Sequence, residues 1–388
     1  MSDSNLVDIL FVRETAFAET PDQSKKLTEL RFFSEELRHV KGIQESEEVR
    51  DDRSPGEDHE TSREGAGTLE LPFLCGTALD SFIEDALMGT FVTGTEAAVS
   101  CNISSVAQTV TRTSGTFTAA QQAAKYIKIT GAGTSGNNGV KRIVSATTTV
   151  LTLAAGSLVG AETGVALTFD HKYVREGTTK RSYLLEKRFR NLSPNHFHYL
   201  IGMALSQLQL NMQPEDRVKA QLTFMGAMGI SAAATAGDGA PNAASTNPEI
   251  TTGAGIGNIL YAGSAPASDV RSLQITLNNM LRRRPKLGQL HTKQPGFGDM
   301  AVSGTMEAYF EDKTMFQDFI NHGSVSLSVP IIDSAGRLVN VHLPSLRFRE
   351  GQPVDPGKNQ DIITSMEWVA KKGTTEAYVI QIDSLSPS

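Results

Sequence analysis

Cysteine is almost absent from this 388-residue chain: Cys75 and Cys101 are the only two. They cannot make a disulfide framework, so stability has to come from a packed core. Charge is sparse as well, at 20% of residues, and its balance is acidic, with 36 Lys and Arg against 43 Asp and Glu for a net charge of −7. That excludes a protein that coats DNA or RNA through a general basic surface. No apolar run reaches the length of a membrane span. The longest stretch free of Asp, Glu, Lys and Arg, from Asn191 to Pro214, carries Asn195, His196, His198, Gln207 and Gln209, which lipid would reject, and no membrane insertion is expected. Met1 to Asn5 lack the basic-then-apolar layout of a secretory signal. Catalytic signatures are missing too: there is no Gly-x-Ser-x-Gly, Cys-x-x-Cys, Gly-x-x-x-x-Gly-Lys or His-Glu-x-x-His. Gly131-Ala-Gly-Thr-Ser-Gly136 matches a dinucleotide pattern literally but runs into Asn137-Asn138-Gly139, so it reads as a hairpin loop. His196 and His198 share a strand face with no third ligand in view. The expectation is a protein that is not an enzyme and holds no cofactor or metal.

What the sequence has instead is a repeat. Gly67-Thr68-Leu69-Glu70 and Gly304-Thr305-Met306-Glu307 open two 17-residue segments that align without a gap at an offset of 237. Gly67/Gly304, Thr68/Thr305, Glu70/Glu307, Phe73/Phe310, Thr77/Thr314, Phe82/Phe319 and Ile83/Ile320 are identical. Each copy reads as a strand followed by a short helix. The strands put Leu69, Leu71 and Phe73, or Met306, Ala308 and Phe310, on one face. The helices begin at Thr77 or Thr314 as N-caps, with Asp80 or Gln317 three residues on. Leu79, Phe82, Ile83, Ala86 and Leu87 form an apolar stripe, and Gly89 or Gly323 supplies the stop. Upstream, Leu27–Phe32 and Val270–Ile275 read as matching strands, each followed by a long polar excursion.

The chain divides accordingly into an N-terminal arm at 1–25, a first unit at 26–91 and 181–230, and a second unit at 269–388. Residues 92–180, rich in Thr, Val, Ser and Gly, interrupt the first unit and read as a small all-β domain displayed on a loop. Residues 231–268 are an Ala/Gly/Ser/Thr-rich linker, partly ordered at best. The fold class is mainly β: two tandem units, each with one short flanking helix and a long hairpin loop, plus the inserted domain.

The strand at 27–32, the Gly-Thr-x-Glu strand running into a short helix in both copies, Asn278-Asn279 before the second excursion, and the run from Gly304 to Asp312 resemble the major tail tube proteins of long-tailed, siphovirus-like bacteriophages. The resemblance covers both copies, roughly residues 25–91 and 181–383, and not the insertion. It implies a tail-tube β-sandwich duplicated in tandem, in a structural virion protein made in the host cytoplasm. Such proteins polymerise as stacked rings into the hollow tail tube, the conduit for DNA ejection. The implied partners are further copies of the chain, a tape-measure protein in the lumen during assembly, tail terminator and tail-tip proteins, and genomic DNA in transit without specific binding. Most members form hexameric rings, so two units per chain imply a trimer with pseudo-sixfold symmetry. The insertion is then expected on the tube exterior. An alternative reading is a surface protein whose inserted domain binds a carbohydrate or host receptor. The few aromatics there, chiefly Phe91, Phe117, Tyr126, Phe169 and Tyr173, count against a sugar platform.

The two excursions carry opposite charge. From Glu35 to Glu64 eleven acidic residues face five basic ones, and Glu45, Glu47, Glu48, Asp51, Asp52, Glu57 and Asp58 crowd the tip. From Asn278 to Asp299, Arg282, Arg283, Arg284, Lys286 and Lys293 are opposed only by Asp299. Pairing of these loops between subunits or rings would set register and partner choice more than affinity. Glu70 and Glu307, matched in the two copies, read equally as satisfied structural partners or as intersubunit contacts. Replacing Arg282, Arg283 and Arg284 together by Glu is expected to block polymerisation, scored by electron microscopy; tubes of unchanged length would remove the pairing idea.

Overall fold

A computed structural model describes residues 6–49, 51, 54, 56–76, 78–192, 195–354 and 357–387. The first half begins with β1 (Val7–Arg13), β2 (Thr28–Leu30), β3 (Ser34–Glu35), β4 (Arg38–Gln44), β5 (His59–Pro72) and α1 (Ala78–Ala86). The insertion contributes β6 (Val92–Ser104), β7 (Thr109–Arg112), α2 (Ala119–Ala123), β8 (Tyr126–Thr130), β9 (Gly139–Ala146), β10 (Val150–Leu153) and β11 (Glu162–Arg175). The first half then resumes with β12 (Tyr183–Phe189), β13 (His196–Met212), β14 (Lys219–Gly226) and β15 (Met228–Ala232). The second half holds α3 (Thr252–Gly255), β16 (Leu260–Tyr261), β17 (Val270–Asn278), β18 (Ala301–Tyr309), α4 (Thr314–Ile320), β19 (Val325–Ile332), β20 (Leu338–Val354), β21 (Ile363–Ala370) and β22 (Gln381–Leu385).

In the first half, β1, β12, β13 and β15 form one sheet, and β4, β5, β14 and β13 another. The long strand β13 serves both. It changes sheet at Gly202, whose φ of +68° is a left-handed value that glycine adopts without strain. The second half has the same order of pairing, β16–β19–β20–β22 and β17–β18–β21–β20. Even the irregularities correspond. The β13–β14 register shifts between Leu205 and Gln207, and the β20–β21 register between Phe348 and Glu350. A second shift falls between Tyr183 and Leu185 and between Val325 and Leu327. Strands β13 and β17 pair directly, from Gln207 with Asn278 to Met212 with Leu273. One sheet of eight strands therefore runs β4–β5–β14–β13–β17–β18–β21–β20, over a single apolar core shared by both halves.

Glycines Gly67 and Gly304 hold their places because backbone comes too close for a side chain. A Cβ on Gly67 would lie 2.4 Å from the Glu36 carbonyl oxygen, and one on Gly304 would lie 1.9 Å from that of Gln274 and 2.4 Å from the Trp368 ring. In both halves an aromatic residue, Phe224 or Trp368, stands opposite the glycine and covers it. The helix stripe behaves as expected in α1, where Leu79, Phe82, Ile83, Ala86 and Leu87 are all buried. Each large side chain so buried contributes about 1.5–3 kcal/mol.

Several expectations are corrected. Leu27–Phe32 does not lie beside β5; Thr28–Leu30 pairs with β1, and the partner of β5 is Ser34–Gln44, within the first excursion. Of α4 only Met315 is buried, while Phe310 and Ile320 are 39% and 62% exposed. Thr314 is the first helical residue rather than a cap, and Asp312 Oδ1 accepts from its N–H at 2.6 Å. Thr77 lies outside the described residues. A capping box does form, between Thr118 and Gln121 of α2.

The insertion is a closed six-stranded barrel, β6–β7–β10–β9–β8–β11 and back to β6, filled by its own apolar core. It is not simply displayed on a loop. Tyr173–Arg175 of β11 pair with Gln381–Asp383 of β22, so a barrel inserted in the first half is clamped to the second. Lys125 N–H donates to Asp383 at 3.0 Å, the Glu176 carboxylate accepts from Val379 N–H at 2.7 Å, and the Arg175 guanidinium lies 4.1 Å from the Tyr378 ring centre. Glu376 joins His342 and Lys125. Burial works against its charge, but those two bonds hold its carboxyl down at about 2. On the other side, Asp85 ties Arg13 of β1 to Arg181 at the barrel's exit, and burial pushes its carboxyl up to about 6 despite both guanidinium groups. Residues 233–268 lie against the fold: Ala236 and Ile250 are buried, Glu249 pairs with Arg31 and Arg217, and Asn247 donates to the Cys75 carbonyl.

Gly304→Ala should destabilise the fold by about 3 kcal/mol through overpacking. Urea unfolding followed on Trp368, the single tryptophan, reads this, and an unchanged midpoint would contradict the close-approach account.

Candidate functional site

Alternation along the eight-stranded sheet leaves one face apolar and buried and the other polar. On β13 the buried Leu208, Leu210 and Met212 alternate with Gln207, Gln209 and Asn211, and on β14 Ala220, Leu222 and Phe224 alternate with Lys219, Gln221 and Thr223. Cross-strand neighbours continue the polar set. One row runs Glu70, Gln221, Gln209, Thr276 and Ser303, and another Lys219, Asn211, Gln274, Thr305, Glu367 and Glu350. These side chains bond to one another: Gln209 donates to Asn211 at 3.0 Å, and Gln274 donates to the same oxygen at 3.1 Å. The face is thus a ladder of neutral amides and hydroxyls with scattered carboxylates and one lysine, Lys219. Its rows were legible in sequence as period-two Gln and Asn in β13, but which strands extend them depends on pairing.

Glu70 and Glu307 both belong to this face, in matching settings. Ser34 Oγ donates to Glu70 at 3.3 Å and Ser272 Oγ donates to Glu307 at 2.9 Å, each from the strand alongside. Arg271 stands 3.9 Å from Glu307.

The two excursions leave the same sheet. Glu45, Glu47, Glu48, Asp51, Glu57 and Asp58 are all exposed, and Asp52 lies outside the described residues. Arg282, Arg283, Arg284, Lys286 and Lys293 are exposed too. The loops meet within one chain: Arg63 N–H donates to the Leu290 carbonyl at 2.9 Å, and Arg283 lies 3.4 Å from Glu64. Among the described residues that is the single ion pair joining the two excursions. The remaining charges of both tips face outward.

The free edges of the sheet are β4 and the 347–354 part of β20. The equivalent edge of β13 is taken by β17, so the contact that joins the two halves is repeated nowhere else in the described chain.

The other motifs of the sequence are occupied by structural contacts among the described residues. In the Gly131–Gly136 loop the N–H groups of Gly133 and Thr134 are occupied by the Glu162 carboxylate at 2.8 and 3.1 Å, where a phosphate would have to sit. His196 bonds to Ser231, and among the described residues no cluster of His, Cys, Asp and Glu has the makings of a metal site. No helix among the described residues is long and apolar enough to cross a membrane.

A search of curated proteins finds no match to the chain. A family model described as phage tail tube protein matches residues 4–370, barrel included. With its mainly β architecture and fused sheet, the chain belongs to the phage tail tube protein family and is a structural component of the virion tail.

Proposed function

We propose that the chain, made in the host cytoplasm, closes into trimeric, pseudo-sixfold rings that stack into the tail tube, with the polar face of the eight-stranded sheet lining the lumen through which DNA leaves. The observation that carries this reading is the pairing of β13 with β17. It joins two halves of like topology through one edge of each, and the same two kinds of edge stay open at the ends of the sheet. Three copies repeating that contact would close the circle, and the two halves are read as tandem tail-tube units. The lumen face suits a conduit, because its amides and carboxylates give phosphates no salt-dependent grip, and Lys219, the one cation in the two rows, is paired with Asp216. Tape-measure, terminator and tip proteins would meet this tube as partners, and no catalysis or cofactor is invoked. Docking of the barrel against β22, away from the polar face, fits a place on the tube exterior. The family match favours the tail tube over the receptor-binding reading.

The intrachain register predicts the intersubunit one. Gln209 faces Thr276 within the chain; the residues at matching positions are Gln352, opposite Ser365, and Arg38, opposite Ala66. A Gln352→Cys, Arg38→Cys chain, whose native cysteines are both buried, should oxidise to a covalent trimer on a denaturing gel. Cross-linked hexamers would refute threefold closure, and monomers alone would refute this edge pairing.

Gln207→Lys, Gln209→Lys and Gln274→Lys together should leave tubes intact but slow DNA ejection, with added salt restoring the rate. Ejection at the original rate in low salt would take this face out of the lumen.

A further inference from the structure

We infer that helix α4 and the turn before it dock on the flank of the first half of the neighbouring copy in the same ring, where Phe189, His196 and Ala233 stand open; this rests on the ring proposed above. The seam inside the chain supplies the template. Beside the β13–β17 pairing, α1 and the turn before it reach across to the second half. Cys75 Sγ donates to the Ile331 carbonyl at 3.8 Å, Ser384 Oγ donates to the Asp80 carboxylate at 3.2 Å, and Asn279 Nδ2 donates to the Asp85 carbonyl at 3.5 Å. Cys75, Ile83, Ile331, Val339 and Ser384 are all buried. If β20 meets β4 of the next copy as β13 meets β17, α4 is carried to that copy in the same way. It belongs to the half that offers β20, as α1 belongs to the half that offers β13.

At the matching positions both surfaces have lost their cover. The repeat places Asp312, Gln317 and Ile320 where the first half has Cys75, Asp80 and Ile83. Ile320 is 62% exposed, and Gln317 is exposed too. The strand registers place Phe189 and His196 where the second half has Ile331 and Val339, and Ala233, one residue past β15, where it has Ser384. Phe189 and His196 are half-buried and Ala233 is exposed. Two surfaces that are closed where the chain meets itself are thus open where it would meet its neighbours, and each is the other's complement. Gln317 and Ile320, three residues apart, share one helix face, the face that Asp80 turns to Ser384 in the first half. Asp312 in place of Cys75 is matched by His196 in place of Val339, so an apolar contact within the chain becomes a carboxylate beside an imidazole between chains. Such polar matching fixes partner and register in a contact made by separate copies. No barrel reinforces this second seam, because α4 ends at Ile320 and β19 begins at Val325, with no insertion between them.

The test uses the full chain carrying the Gln352→Cys, Arg38→Cys pair, so that each closed seam is read as a covalent link on a denaturing gel. Ile320→Asp, on the helix, and Ala233→Glu, on the flank, should each raise the concentration at which covalent trimer appears by about tenfold. Mixed in equal parts, the two variants should give covalent dimers at the parental concentration. The Ala233→Glu copy keeps its helix and the Ile320→Asp copy keeps its flank, and a head-to-tail contact needs one of each. Those dimers also show that both chains are folded. Trimer at the parental concentration from either variant, or a mixture that behaves as the separate variants do, overturns the proposal and leaves the ring standing. If the parent chain gives no covalent trimer, the ring reading fails first and takes this one with it.

Discussion

The antiparallel contact between β13 and β17 is the constraint on which the rest of the molecule depends. Six residue pairs join the two halves along it. Leu208, Leu210, Ile275 and Leu277 bury its inner side, and amide side chains bridge its outer side. Each backbone bond is worth about 0.5–1.5 kcal/mol net, so burial supplies much of the strength and hydrogen bonding supplies the register. A slip of one residue would turn every leucine of β13 outward. The polar face, the curvature and the placement of the open edges all inherit this register.

A second tie crosses the same boundary far from the first. The barrel leaves the first half after α1 and pairs with β22 of the second, with Asp383 fully buried against Lys125, Gln381 and Asn340. Burial raises the Asp383 carboxyl, and its three donors offset part of that cost. Two tethers on different sheets leave the halves little freedom to hinge.

Much of this was legible in the sequence where local physics decides. The stripe of α1 and the alternation of β5 and β18 follow from apolar periodicity. The Gly-Thr-x-Glu glycines were visible as a motif, though the reason, a carbonyl within 2.4 Å or less of any Cβ, depends on which strand lies alongside. There the sequence misled. Leu27–Phe32 and Ser34–Gln44 are both extended, and only pairing shows that the first serves β1. Phe310 and Ile320 carry the pattern of buried residues but are exposed where their counterparts Phe73 and Ile83 are buried; on the first-half helix, Phe82 is covered by Phe11 of β1 and by Tyr183. The Ala/Gly/Ser/Thr-rich stretch at 231–268 reads as a linker by composition, yet its first two residues end β15 and small residues let the rest lie close on the fold. The polar face is hard to read from the sequence as a whole because its rows are assembled from strands distant in the chain.

The clamp between β11 and β22 also bears on how the molecule is made. All six strands of the barrel lie within 92–175, so it closes through local contacts. Its anchor, by contrast, joins Tyr173 to Asp383, roughly 210 residues apart, and contacts of such separation form late because loop closure must be met first. The barrel therefore folds early and docks last. Until it docks, the β13–β17 pairing is the one pairing of strands among the described residues that ties the two halves together.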